Sequence, residues 1–120
     1  MGLHYRELTL WRKSMDLGKE VYRLVPTLPG EETYGMRSQI TRAAISIPAN
    51  IAERWARESA RERAQFRAIA QGSLAETETL LTLCEELGWF PKDRTIALRS
   101  LIVEIGKMLS TLRRKLRESR

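Results

Sequence analysis

The chain has 120 residues, the length of one domain built from four or five mostly short elements. With 42% hydrophobic and 30% charged residues it is globular rather than disordered. Its net charge of +6, from 21 basic and 15 acidic residues, favours anionic partners, nucleic acid before an anionic membrane.

The first residues (Met1, Gly2, Leu3, His4, Tyr5, Arg6) lack the apolar stretch of a signal peptide, and no apolar run approaches a membrane span. Cys84 is the only cysteine, which leaves no internal disulfide and no thiolate cluster. A cytoplasmic protein without a membrane partner is expected.

Residues 8–28 read as a helix. Leu8, Trp11, Met15, Gly18, Tyr22 and Val25 make one stripe, and Leu10, Leu17, Val21, Leu24 and Leu28 a second beside it. The opposite face is charged, with Arg12 and Asp16 at ion-pair spacing. Pro26, Pro29 and Gly30 end the helix.

The second helix is expected from Glu31, Glu32 and Thr33, where carboxylates suit the positive end of the dipole, to about Ala56. Pro48 removes one backbone bond and crowds the carbonyl of Ala44, so a bend is expected there. The polar residues Gln39, Arg42, Ser46, Asn50, Glu53 and Arg57 follow at steps of three or four and share one narrow seam. Met36, Ile40, Ala43, Ala44, Ile47, Ile51 and Trp55 flank it on one side, and Ile45, Ala49 and Ala52 on the other. A helix apolar nearly all round is buried on most sides, and one subunit covers only about half of it. This helix is therefore expected to be both core and subunit interface.

Ser59 and Glu62 form a capping box that opens the third helix. Its inner face is Phe66, Ile69, Ala70, Ser73, Leu74, Thr77, Leu80, Leu81, Cys84 and Leu87; Gly72 and Ala75 let another backbone approach. Gly88 and Pro91 end it. The fourth helix is expected from Asp93 to Arg117, burying Leu98, Leu101, Ile102, Ile105, Met108, Leu109, Leu112 and Leu116. No strand signal and no repeat is present. Long helices joined by short loops predict an all-α, antiparallel up-down-up-down four-helix bundle.

Single-site chemistry is sparse. Glu53 and Glu76 invite comparison with di-metal carboxylate bundles, but that chemistry needs Glu-x-x-His pairs and His4 is the only histidine. No metal and no cofactor is expected. A buried structural network of Gln39, Arg42, Asn50, Glu53, Ser73 and Glu76 is the simpler reading. Cys84 reads as a small buried hydrophobe. No nucleophile has a histidine base within reach and no glycine-rich phosphate loop exists, so no enzymatic activity is expected. Two basic clusters remain: Arg54, Arg57 and Arg61, with Arg63 and Arg67, around the second turn; and Arg99, Lys107, Arg113, Arg114 and Arg117 on the fourth helix. Arginine is a forked, permanently charged phosphate ligand. With no groove-reading motif, RNA or DNA would be bound with little sequence preference.

The run Arg42-Ala-Ala-Ile-Ser-Ile-Pro-Ala-Asn-Ile-Ala-Glu53 and the run Gly72-Ser-Leu-Ala-Glu76 are specific together. With Trp11, Val21, Tyr22, Pro29, Tyr34, Gly35, Phe66, Ile69 and Ala70 in order, nearly the whole chain resembles a four-helix-bundle family. That family comprises the proteins encoded in intervening sequences of bacterial 23S ribosomal RNA genes. The resemblance implies a homopentamer without established catalytic residues. It also extends to the accessory variability determinant of diversity-generating retroelements, which implies association with nucleic acid and a reverse transcriptase. The chain departs at Arg54 and Trp55, where the family commonly has Gly and then a small or aromatic residue. Two functions follow as expectations: an oligomeric nucleic-acid-binding accessory protein, or a structural interaction module whose basic surface is incidental.

Overall fold

The computed structural model describes residues 8–55 and 59–118, with side chains at 8–55, 59 and 61–114. The helices are α1 (Thr9–Leu24), α2 (Met36–Trp55), α3 (Ala60–Glu86) and α4 (Ile96–Glu118). No strand occurs among the described residues. The body measures 47 × 22 × 20 Å. α2 packs on α1 and α3, and α4 packs on α3 and α1, around one apolar core.

The second α1 stripe is core: Leu10, Leu17, Val21 and Leu24 are buried, and Leu28 beyond the helix joins them. The first stripe flanks it: Gly18 and Val25 are buried, Leu8, Trp11 and Met15 are partly buried, and Tyr22 is half exposed. α1 stops at Leu24, earlier than expected, because Val25–Thr27 tighten into a 3₁₀ turn around Pro26. Asp16, expected opposite Arg12, stands 4.0 Å from Lys19 instead.

α2 begins at Met36 rather than at the acidic residues, which form a 3₁₀ turn, Gly30–Glu32. Glu32 still serves the helix end, its carboxylate accepting the Met36 N–H at 3.2 Å. The helix continues through Pro48, which is itself buried. Ile40, Ala44, Ile47 and Ile51 enter the core, while Ile45 and Ala49 face out. One side of α2 is thus satisfied inside the chain and the other is left at the surface.

Ser59 caps α3, its hydroxyl accepting the Glu62 N–H at 3.4 Å. Phe66, Ala70, Leu74, Thr77, Leu81 and Cys84 are buried. Ile69 and Leu87, expected with them, are 39% and 51% exposed because they sit at the edges of an arc wider than the core can cover. Gly88, at φ 76°, adopts the left-handed conformation that terminates the helix. The chain then folds back, with the Trp89 and Phe90 N–H groups donating to the Cys84 carbonyl, and Phe90 plugs the end of the core.

α4 starts at Ile96 after a 3₁₀ turn, Lys92–Arg94, so the expected start at Asp93 falls in that turn. Leu98, Ile102, Ile105 and Leu109 are buried, and each such side chain contributes about 1.5–3 kcal/mol. Leu101, Met108 and Leu112 pack at the margin. A Cβ at Gly106 would meet Leu74 at 3.7 Å, an ordinary van der Waals distance, so α3 and α4 lie in contact there. Leu116 lies outside the described side chains.

Candidate nucleic-acid interface

The tertiary structure joins the two basic clusters. A small pocket of about 170 Å³ is lined by Leu8, Thr9 and Leu10 from α1 and its approach, Trp55 from α2, and Met108, Thr111 and Leu112 from α4. The end of α2 therefore lies beside the second half of α4. Arg54 precedes Trp55, and Arg113 and Arg114 follow Leu112, so members of the two clusters lie towards the same end of the body.

Apolar burial anchors this end. Trp55 packs edge-on against Phe66, with ring centroids 5.7 Å apart at 71°. Arg63 lies over the Trp55 ring at 5.5 Å, so its charge is partly committed to a cation–π contact. Arg54 is half-buried and donates through Nη1 to the Gln65 side-chain oxygen Oε1 at 3.2 Å, while its Nε is buried with no hydrogen-bond partner among the described residues. Arg54, Ser59, Arg61, Glu62 and Gln65 line one open, polar cleft. Arg61, Lys107, Arg113 and Arg114 are exposed. Arg57 and the side chain of Arg117 lie outside the described residues.

Arg99 belongs elsewhere. Its guanidinium pairs with Glu85 and donates to the Thr82 hydroxyl at 3.1 Å. The Arg99 hydrogen bond, more than any other influence, holds the Glu85 carboxyl below its usual range, against the opposing effect of burial. Arg99 thus clamps α4 to α3 near the other end and leaves the phosphate-ligand set. Helical spacing placed it among exposed cations; the partner, Glu85, comes from a different helix and no spacing rule reveals it.

The polar seam divides in two. Ser46 and Ser73 hydrogen-bond across α2 and α3, and the Asn50 side chain donates to the Ser46 carbonyl at 2.6 Å. Gln39, Arg42, Glu53 and Glu76 stand exposed on the single chain. No ion pair joins Arg42 to Glu53 or Glu76 among the described residues. The expected salt-bridged network is therefore not formed among the described residues, where only Ser46 and Asn50 of the α2 seam are hydrogen-bonded through their side chains.

Among the described residues no three His, Cys, Asp or Glu groups stand together as metal ligands, and no helix is long and apolar enough to cross a membrane. No curated protein matches the chain. The family model for the 23S rRNA-intervening sequence protein matches residues 6–111, and the chain belongs to that family.

Proposed function

We propose that the protein is a non-enzymatic, nucleic-acid-binding accessory protein acting as a homo-oligomeric ring. In this reading the single domain is an antiparallel up-down-up-down bundle in the cytoplasm. The ring is pentameric by family resemblance, and its nucleic acid is held for a partner such as a reverse transcriptase. The observation that carries the binding reading is the placement of Arg54 and Arg61, near the end of α2 and the start of α3, at the end of the body that also holds Arg113 and Arg114. Each subunit adds +6, so assembly multiplies the field that attracts a polyanion and releases its counterions. No groove-reading element accompanies these residues, so backbone phosphate is the target.

The test is a salt titration of labelled RNA and DNA against the wild type and the variant R113Q/R114Q/R117Q. If about five phosphates are engaged, a fourfold rise in salt lowers duplex affinity by more than about a hundredfold. The variant binds more weakly across all sequences and keeps its fold. No binding at low salt overturns the proposal; equal binding by both proteins moves the site off α4. The reverse-transcriptase partnership rests on the resemblance, and a neighbouring reverse transcriptase gene is the observation that would favour it.

A second reading is an interaction module with an incidental basic surface. Ile96 and Val103, exposed by 68% and 54% on α4, favour it as apolar groups that no described residue covers.

A further inference from the structure

The small pocket at the basic end is apolar, which binding by charge alone does not use. Trp55, Met108 and Leu112 are its partly buried walls, and Thr9 and Thr111, both exposed, line it from the solvent side. At about 170 Å³ it falls below the roughly 300–1,000 Å³ of sites for drug-sized ligands, so it suits one ring rather than a larger molecule.

Cations stand beside each wall. Arg54 precedes Trp55, and Arg113 follows Leu112. Arg12 lies one turn on from Leu8, its backbone N–H donating to the Leu8 carbonyl at 3.1 Å. None of these three forms an ion pair among the described residues. Glu104, one turn before Met108, is held by Lys13 at 2.9 Å, and Glu53 is turned roughly 200° from Trp55 around α2. Arg54 also carries the buried Nε that has no hydrogen-bond partner among the described residues, in a cleft it shares with Arg61. A buried donor of this kind calls for an acceptor, and a phosphate oxygen is one. Adjacent residues on a helix are turned about 100° apart, so cleft and pocket sit side by side at the end of α2.

An apolar pocket for one ring, next to phosphate ligands, matches the two halves of a nucleotide. We propose that this pocket takes one unpaired base of a single strand against Trp55, while the arginines around it hold the flanking phosphates. This rests on the nucleic-acid reading above and narrows its ligand from any polyanion to a strand with free bases. In a duplex the base faces are covered by their neighbours, and a base reaches a pocket only by leaving the stack. Every base has a π-face, so the pocket selects for an unpaired strand and not for its sequence. That fits a chain with no groove-reading element.

The test uses the full chain and two labelled probes: a single strand, and the same strand made abasic throughout. Both carry the same phosphates, so backbone contacts alone bind them equally. The wild type is expected to bind the intact strand about tenfold more tightly, as for one base stacked on an aromatic ring. Thr111→Leu fills the pocket from an exposed position with a better helix former, and is expected to bring the intact strand down to the abasic level. Trp55→Leu removes the ring, keeps the wall apolar and gives the same result. Thermal melts show which variants are folded; should Trp55→Leu unfold for want of its Phe66 contact, Thr111→Leu decides alone. Equal binding of both strands by the wild type overturns the base pocket while the phosphate reading stands. A preference that survives in folded Thr111→Leu overturns it as well. No binding of either strand at low salt overturns both readings.

Discussion

Arg99 Nε donates to Glu85 Oε2 at 3.3 Å, tying α4 to the last turn of α3. The Thr95 hydroxyl donates to the same carboxylate oxygen, and the Glu85 side chain is only 8% exposed. A carboxylate so enclosed is stable because its charge is hydrogen-bonded and neutralised where it sits.

Glu85→Gln is expected to lower stability by about 1–2 kcal/mol, less than for a fully buried pair because Arg99 keeps contact with water. The Glu85 pKa is lowered in the folded state, chiefly by the Arg99 hydrogen bond. Its contribution is thus complete above the ordinary carboxylate range and disappears as pH falls through the lowered value. Thermal melts down an acid series check this: the wild type loses its advantage over the variant as pH drops. An unchanged gap would remove Glu85 as the titrating group.

The basic end and the Arg99 clamp separate in mutagenesis. Arg113→Gln with Arg114→Gln is expected to reduce nucleic-acid affinity and flatten its salt dependence by about one phosphate contact per residue, with little change in melting temperature. Arg99→Gln is expected to do the reverse. Parallel binding and melting curves for the two proteins decide it; a loss of affinity in the Arg99 variant at unchanged stability would return Arg99 to the interface.

The seam variants should behave differently from each other. Asn50→Ala removes a 2.6 Å hydrogen bond inside the chain and is expected to cost about 0.5–1.5 kcal/mol at any protein concentration. Glu53 is exposed with no ion pair among the described residues, so Glu53→Ala is expected to act only on assembly. Its effect on the melting midpoint should then vanish on dilution to monomer. A concentration-independent loss in Glu53→Ala would place its partner inside the subunit.

Cys84 is fully buried, and burial first, then Glu32 and Glu85, push its thiol pKa up to about 11. The native protein is expected to react slowly with a thiol-specific disulfide reagent in mildly alkaline buffer and quickly once denatured. Fast labelling of the native state would mean that α3 opens readily at that position.

The local grammar of the chain was legible from its residues. The Ser59 cap, the Gly88 stop and the continuation of α2 through Pro48 each depend on a few neighbouring residues, and local backbone chemistry is enough to place them. Family membership was legible too, because it rests on contiguous runs of residues. Periodicity also marked which arcs are apolar. It could not say where an arc stops being core. Ile69 and Leu87 share the spacing of Phe66 and Cys84, yet only the second pair is covered, since coverage depends on where the neighbouring helices end up. Nor could spacing see across helices. The sequence separates Arg54 from Arg113 by two turns and a whole helix, and it groups Arg99 with Arg113 on one helix. Trp55, Met108 and Leu112 come to line one pocket, which brings the distant pair towards one end, and Glu85 engages Arg99 away from it. Contacts between elements far apart in the chain are fixed by how the apolar faces pack, and that is a property of the assembled core rather than of any one stretch.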